Sequence, residues 1–248
     1  MRKIVIAIDG YASTGKSSIA KLLSSHLNYI YVNSGSMYRA ITFHAISKEL
    51  IPLTKKNINT LISLLSDIQL DYRINNSTGF YDIYLNNTNL ESKLKSLEVS
   101  NHVSSIAEIP QIRKHVVKIQ KSFQHKGGLV MDGRDIGSVV FPNADLKLFL
   151  TASDDVRAKR RYVELINEGY KINYEDIFNN IISRDKKDSK RKDSPLIIPK
   201  DAVVIDNSKI NIIDQLNFII NLIKTNFNFQ IYQIRQFNLI FLNSQTFW

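Results

Sequence analysis

Gly10-Tyr11-Ala12-Ser13-Thr14-Gly15-Lys16-Ser17 fills every fixed position of the pattern G-x-x-x-x-G-K-[ST], with Ser18 directly after it. That spacing serves one kind of chemistry. Glycines let the backbone curl until its N–H groups point inward at phosphate oxygens, and a helix starting at the loop adds partial positive charge. Lys16 is then placed to reach the β- and γ-phosphates of a nucleoside triphosphate, and the Ser17 hydroxyl to ligate Mg²⁺. A ligand-free glycine turn is the bland alternative. The surroundings argue against it, because the apolar run Ile4–Ile8 precedes the loop and helical periodicity follows. The loop calls for ATP or GTP and is silent about the acceptor.

Other residue types bear on that acceptor. Arg39, Arg134 and Arg191 sit in three separated segments. An enzyme that joins two nucleotides gathers many negative charges at one point and needs guanidiniums for a phosphate acceptor. Taken singly, each arginine could equally be a solvated or ion-paired surface residue. Asp132 closes the apolar run Leu129–Met131, the position from which P-loop enzymes orient Mg²⁺ directly or through water. A strand-end turn aspartate is the competing reading. Arg157, Arg160 and Arg161 follow Ser153 at helical spacing, and Arg157 and Arg161 share a face. By themselves they read as a basic helix face.

The elements that must carry these residues alternate. Ile4–Ile8, Tyr29–Val32, Leu129–Met131, Leu146–Leu150 and Ala202–Ile205 read as short buried strands. Helical periodicity covers Lys16–Leu27, Met37–Leu50, Asn57–Asp67, Leu97–Ala107 and Ile112–Gln124. A helix from a Ser153 cap to Gly169, one over Tyr174–Arg184 and one over Ile212–Lys224 complete the set, with a basic loop from Lys186 towards Ser194-Pro195. Gln69–Ile74 and Tyr81–Leu85, separated by Asn75-Asn76-Ser77-Thr78-Gly79, predict a β-hairpin inserted between helices. Strands alternating with helices predict an α/β fold with a mostly parallel sheet covered on both faces.

Composition narrows the classes. Cysteine is absent, which excludes disulfides, thiolate zinc sites and thiol catalysis. The run Ile4–Ile8 stops at Asp9, too short for a signal peptide, and no stretch approaches the roughly 20 apolar residues that span a bilayer. A formal net charge of +10 suggests a polyanionic partner, either nucleic acid or a small anionic substrate. The basic run Lys186–Lys192 would be the RNA-binding candidate, but Asp185, Asp188 and Asp193 interrupt or flank it and no aromatic platform lies nearby. A phosphate-clamping segment explains it better. Residues 226–248 are aromatic and amide-rich without a clear period.

Asn33-Ser34-Gly35-Ser36-Met37-Tyr38-Arg39 resembles the D-[ST]-G-[AS]-[MI]-Y-R segment of bacterial cytidylate kinases, with Asn33 at the usual aspartate. The run from Met131 to Pro142 resembles their D-G-R-D-[IM]-G-[ST]-V-V-F-P signature. Arg184 to Arg191 resembles R-D-x-x-D-x-x-R, followed by Ser194-Pro195-Leu196, and Asp201–Asp206 matches their closing strand. These matches fall in order from Ile4 to about Lys224. Two loop positions depart from the family: Tyr11 stands at the usual proline and Ser13 at a common glycine.

The resemblance implies a P-loop NTPase-type parallel sheet with helices on both faces, as a single domain over residues 1–225. Within it lie a core (1–32, 108–153 and 170–225), an inserted monophosphate-binding lobe with the hairpin (33–107) and a short helical lid (154–169). Residues 226–248 extend past the family's usual end. The implied activity is in-line phosphoryl transfer from MgATP to CMP and dCMP, in pyrimidine nucleotide metabolism. By the same resemblance Gly10, Tyr11, Ala12, Ser13, Thr14, Gly15, Lys16, Ser17 and Ser18 hold ATP, and Ser17 and Asp132 hold Mg²⁺. Lys16, Arg157, Arg160 and Arg161 act in catalysis. Arg39, Arg134 and Arg191 hold the CMP phosphate, with Ser34 and Tyr38 beside them. Ser104, Arg113 and Asp135 meet the pyrimidine, and Arg184 and Asp188 the pentose. The expected partners are these small molecules, not nucleic acid or membrane, and a cytoplasmic monomer is expected. Two rivals stay open: a P-loop kinase of another monophosphate or of a metabolite such as shikimate, and an RNA-binding P-loop NTPase.

Overall fold

The structure, a computed structural model, describes residues 3–77, 79–126 and 128–227. The first apolar run becomes β1 (Val5–Gly10), and the loop opens directly into α1 (Lys16–Leu27). β2 (Ile30–Asn33) leads into α2 (Ser34–Ser47), and α3 (Lys55–Ser63) follows. A small antiparallel sheet comes next, made of β3 (Leu70–Ile74), β4 (Tyr81–Leu85) and β5 (Thr88–Asn89). Helices α4 (Leu97–Ala107) and α5 (Pro110–Ser122) return the chain to β6 (Leu129–Asp132). After β7 (Leu146–Thr151) come α6 (Asp154–Asn167) and α7 (Tyr174–Lys190), then β8 (Val203–Asp206) and α8 (Ile212–Phe227).

Five strands form one sheet in the order β2-β6-β1-β7-β8, and every neighbouring pair is parallel. Parallel neighbours need crossover connections, which put helices over both faces and leave the strands apolar throughout. Ile6 and Ile8 of β1 pack into a core with Ile19 and Leu23 of α1 and Ile219 and Ile223 of α8. Ala7, with Val32 and Met131, faces the other layer, where Met37 and Ile41 of α2 meet Ile112 and Val116 of α5. That second core continues without a break to Leu61 of α3, Ile83 and Leu85 of β4, and Leu94. The fold is the α/β layering that the strand–helix alternation predicts.

The register decides where chemistry can happen. Ile8 and Asn33 both pair with Asp132, and Gly10 pairs with Leu150. The C-terminal ends of β1, β2, β6 and β7 therefore converge on one edge, where ligands bind in open parallel sheets.

Several boundaries differ from the sequence expectation, each for a local reason. α2 starts at Ser34 rather than Met37, because the Asn33 side chain accepts from the Ser36 N–H at 2.9 Å and caps the helix. Residues 57–67 split into the end of α3 and a 3₁₀ turn, Leu64–Asp67. The hairpin gains β5 because Asn86 and Asn87 both take positive φ (47° and 66°) and turn the chain tightly. The segment expected as a basic loop stays helical to Lys190, since its charges sit on an amphipathic helix whose Ile177 and Ile181 pack on Ala158 and Leu165 of α6. Ser153 occupies the cap position of α6 but makes no side-chain cap bond. α8 runs on to Phe227, and residues 228–248 of the expected extension lie outside the described residues.

Candidate active site

The loop leaves β1 at Gly10, whose φ is 142° and where a Cβ would collide with the Leu150 carbonyl. Only glycine can take that turn so close to a neighbouring strand. Ser13 and Gly15 both adopt left-handed backbone, with φ of 58° and 82°. Lys16 is 5% exposed, and its ammonium donates to the Tyr11 carbonyl and to Thr14 Oγ1 at 3.2 Å. Burial pushes the Lys16 ammonium well below its ordinary range, and Arg134 adds to this; Asp132, Asp185 and Asp9 pull the other way. A cation held at such expense invites anionic oxygens.

Beside the loop, Ser17 Oγ donates to Asp132 Oδ2 at 2.9 Å and Tyr31 Oη donates to Asp132 Oδ1 at 2.8 Å. Asn33 Nδ2 donates to both hydroxyls, at 3.0 Å to Ser17 Oγ and 3.1 Å to Tyr31 Oη. Burial raises the Asp132 carboxyl, with Lys16 the chief opposing influence. The described residues contain no cluster of three or more His, Asp or Glu side chains fit to hold a metal. One carboxylate and one hydroxyl nevertheless fit Mg²⁺, a hard cation that keeps waters and takes its remaining oxygens from substrate phosphates.

Across the cleft stand arginines. Arg39, from the first turns of α2, donates to the Leu94 carbonyl at 3.1 Å and to Ser100 Oγ at 2.9 Å. Burial, then Arg184, Arg161 and Arg134, press it down to about 9. Burial and Arg134 likewise bring Arg184 to about 10. Four guanidiniums thus repel one another around a cavity of about 270 Å³ whose far wall is the loop. Such a concentration of positive charge in a cavity wall suits an anionic ligand.

A second group adjoins it. Asp135 is buried between Arg113, which it pairs with directly, and Arg191, at 3.7 Å. Asp188 accepts from Arg134 Nε at 3.0 Å and lies 3.5 Å from Arg191. The Tyr38 ring lies under the Arg113 guanidinium, 5.5 Å from centroid to Cζ. Tyr38 Oη, Arg184 Nε and Arg191 Nη2 are buried without a hydrogen-bond partner among the described residues. Orphan polar groups in a cavity wall are what a ligand satisfies. Ser34, Ser104 and Ser18 also line the cavity.

The structure therefore brings together Ser13, Gly15, Lys16, Ser17, Ser18, Ser34, Tyr38, Arg39, Ser104, Asp132, Arg134, Asp135, Arg161, Arg184, Asp188 and Arg191 in one cleft, with Arg113 directly behind Asp135. It leaves Arg157 and Arg160 out of that lining. Arg157 is buried under the loop against Asp154 and Asp185, and Arg160 donates to Asn207. Tyr11 turns away too, edge-on to Phe149 with centroids 5.6 Å apart. Ala12 and Thr14 are buried inside the loop.

Sequence reading missed several supports. Asp9 is 1% exposed, accepts from the Ile136 and Gly137 N–H groups at 2.7 Å each, and so anchors the turn that follows Asp135. Burial lifts its carboxyl to about 7. A lone acidic residue ending an apolar run was the available signal. Tyr31 and Asn207 carried none, because both look like ordinary strand-end residues. Glu164, paired with Arg161 at 2.8 Å, also reaches the cavity.

The cytidylate kinase family model matches residues 6–225. A cytidylate kinase of Flavobacterium johnsoniae is 46% identical over 223 residues, covering 90% of this chain and 97% of that protein. Those of Flavobacterium psychrophilum and Phocaeicola vulgatus are 45% and 46% identical over 90% and 87% of this chain, and 99% and 94% of their own lengths. A buried phosphate loop, a hydroxyl–carboxylate corner and a facing arginine cluster, together with these matches along nearly the whole described chain, place this protein in the cytidylate kinase family.

Proposed function

We propose that the chain transfers the γ-phosphoryl group of ATP to the phosphate of CMP and dCMP. The observation that carries this reading is the crowd of Arg39, Arg134, Arg161 and Arg184 facing the phosphate loop across one small cavity. A loop for one phosphate chain and a guanidinium wall for a second phosphate are what direct transfer between two nucleotides needs.

The loop N–H groups and Lys16 hold the donor phosphates, Arg39 and Arg134 grip the acceptor phosphate, and Arg184 stands beside them. Asp135, held by Arg113 and Arg191, offers a carboxylate to accept from the cytosine amino group, with Ser104 and Tyr38 alongside. Asp188 accepts from a pentose hydroxyl. Arg161 lines the same cavity and offers positive charge to the transferring group. Ser17 and Asp132 would hold Mg²⁺, which when bound neutralises charge on the donor phosphates. The protein supplies position, dryness and charge, and needs no nucleophile of its own.

A concave site of this size suits a mononucleotide better than a strand of RNA, which needs an open groove. We extend the proposal to a monomer working in the cytoplasm. No helix among the described residues is long and apolar enough to cross a membrane. The test is MgATP-dependent ADP formation with CMP, dCMP, UMP, AMP, GMP and shikimate offered separately, with sedimentation for the oligomeric state. Strong turnover with CMP and dCMP supports the reading. Turnover with a different acceptor would discard the pyrimidine assignments, and turnover with none would discard the acceptor site altogether.

A further inference from the structure

Two arginines that helical spacing groups with Arg161 do something else. Arg157 Nη1 donates to the Ala12 carbonyl at 3.1 Å and pairs with Asp185, and Asp185 Oδ1 accepts from the Ala12 N–H at 2.9 Å. Arg157 also donates from Nε to the Ala152 carbonyl at 3.0 Å and lies 5.3 Å over the Tyr11 ring. On the other flank Asn207 Nδ2 donates to the Thr14 carbonyl at 2.8 Å. Asn207 is 2% exposed and is itself gripped by Arg160, whose two terminal nitrogens donate to its side-chain and main-chain oxygens at 2.9 Å each. Between these two anchors stands Ser13, in left-handed backbone that a residue with a Cβ adopts reluctantly.

A trans peptide points its N–H opposite to its C=O. Drawing the Ala12 carbonyl towards Arg157 therefore turns the Ser13 N–H the other way, and drawing the Thr14 carbonyl towards Asn207 does the same for the Gly15 N–H. Ser13 and Gly15 both line the cleft. We propose that Arg157 with Asp185, and Arg160 with Asn207, are positioning residues that brace the loop on both sides of Ser13 and aim the Ser13 and Gly15 N–H groups at the donor phosphates. They act through the loop backbone and do not touch the nucleotide. Because Arg161 follows Arg160 on α6, and Arg184 and Asp188 flank Asp185 on α7, the same braces fix the loop against helices that line the acceptor wall.

The inference rests on the donor half of the proposed function alone, so its binding measurements are made without an acceptor, and CMP is present only where kcat and KM are read. ADP and inorganic pyrophosphate are titrated calorimetrically into the full chain and its Asp185→Asn and Arg160→Met variants, with melting temperatures recorded. Both ligands are expected to weaken about tenfold in each variant, the scale of one charge-assisted hydrogen bond. At saturating ATP the variants are expected to lose much less in kcat than in KM for ATP. The Ser13 and Gly15 amide resonances of the empty protein should shift in both variants. Arg160 is half-buried, so Arg160→Met carries the test if Asp185→Asn folds poorly. Loss of ADP affinity without loss of pyrophosphate affinity would overturn the proposal, because it would mean contact with the base. A fall in kcat with ADP affinity unchanged would overturn it as well, by making these side chains direct contacts of the transferring group.

Discussion

On the donor wall of the cleft the positive charge is mostly partial, carried by backbone N–H groups and the start of α1, and Lys16 is turned back onto the Tyr11 carbonyl. On the acceptor wall it is full charge, four guanidiniums close enough to depress one another, with orphan donors beside them. The Lys16 ammonium has protein partners, whereas Tyr38 Oη and Arg184 Nε on the acceptor wall have no hydrogen-bond partner among the described residues. A backbone cradle suits a long polyphosphate that arrives with its own metal, because peptide dipoles cost little to hold in place. An acceptor phosphate brings no counterion of its own, so the protein must store the charge and bear the repulsion until the ligand comes.

Four substitutions break or sharpen that contrast. The largest effect is expected from Lys16→Ala, which removes the full charge of the donor wall; kcat should fall about 10²–10³-fold, as for loss of one preorganised charge stabiliser. Single-turnover transfer measures it. Next comes Asp135→Asn, which leaves Arg113 buried without its charge partner. A loss of about 3–5 kcal/mol in unfolding free energy is expected, read by urea denaturation.

Asp9 tests the brace that joins the two walls. Its carboxyl titrates at about 7 in the fold and near 3.8 when unfolded, so between those values the folded state holds more protons. The stability it supplies is therefore full below about 3.8 and declines as pH rises to about 7. Melting curves from pH 4 to 8 should show Asp9→Asn gaining on the wild type through that window and the difference levelling off above it. A constant difference would remove Asp9 from the account.

The smallest effect is expected from Arg39→Met, and its sign is the informative part. Burial and three neighbouring guanidiniums disfavour the Arg39 charge in the empty fold. Relief of that repulsion should raise Tm by about 3 °C, the shift that roughly 1 kcal/mol gives in a chain of this size, while CMP affinity falls. A lowered Tm would show that the bonds to Leu94 and Ser100 outweigh the repulsion, and the contrast between the walls would weaken.

Much of the fold could be read along the chain. β1, α1, α4 and β7 follow from apolar runs and 3.6-residue periodicity with ends right to within two residues. β5 and the helical course of residues 185–190 could not be read that way. A two-residue strand has no period, and a charged helix face with few apolar residues looks like a loop until its partner α6 is in place.

The sequence by itself determined the phosphate loop, the strand-end aspartate and the arginine-bearing motifs, because a turn that cradles phosphate needs particular residues at fixed spacing. Only the tertiary structure decided how the arginines divide. Helical spacing says that Arg157 and Arg161 share a face of α6, but not that one end of that face meets the loop backbone and the other the cleft. Arg184 joins Arg39 and Arg134, and Arg191 joins Asp135, through contacts between segments far apart in the chain. Asp185 holds Ala12 across 173 residues. Local propensity acts over a turn or two, whereas burial and charge respond to whatever the fold carries within a few ångströms.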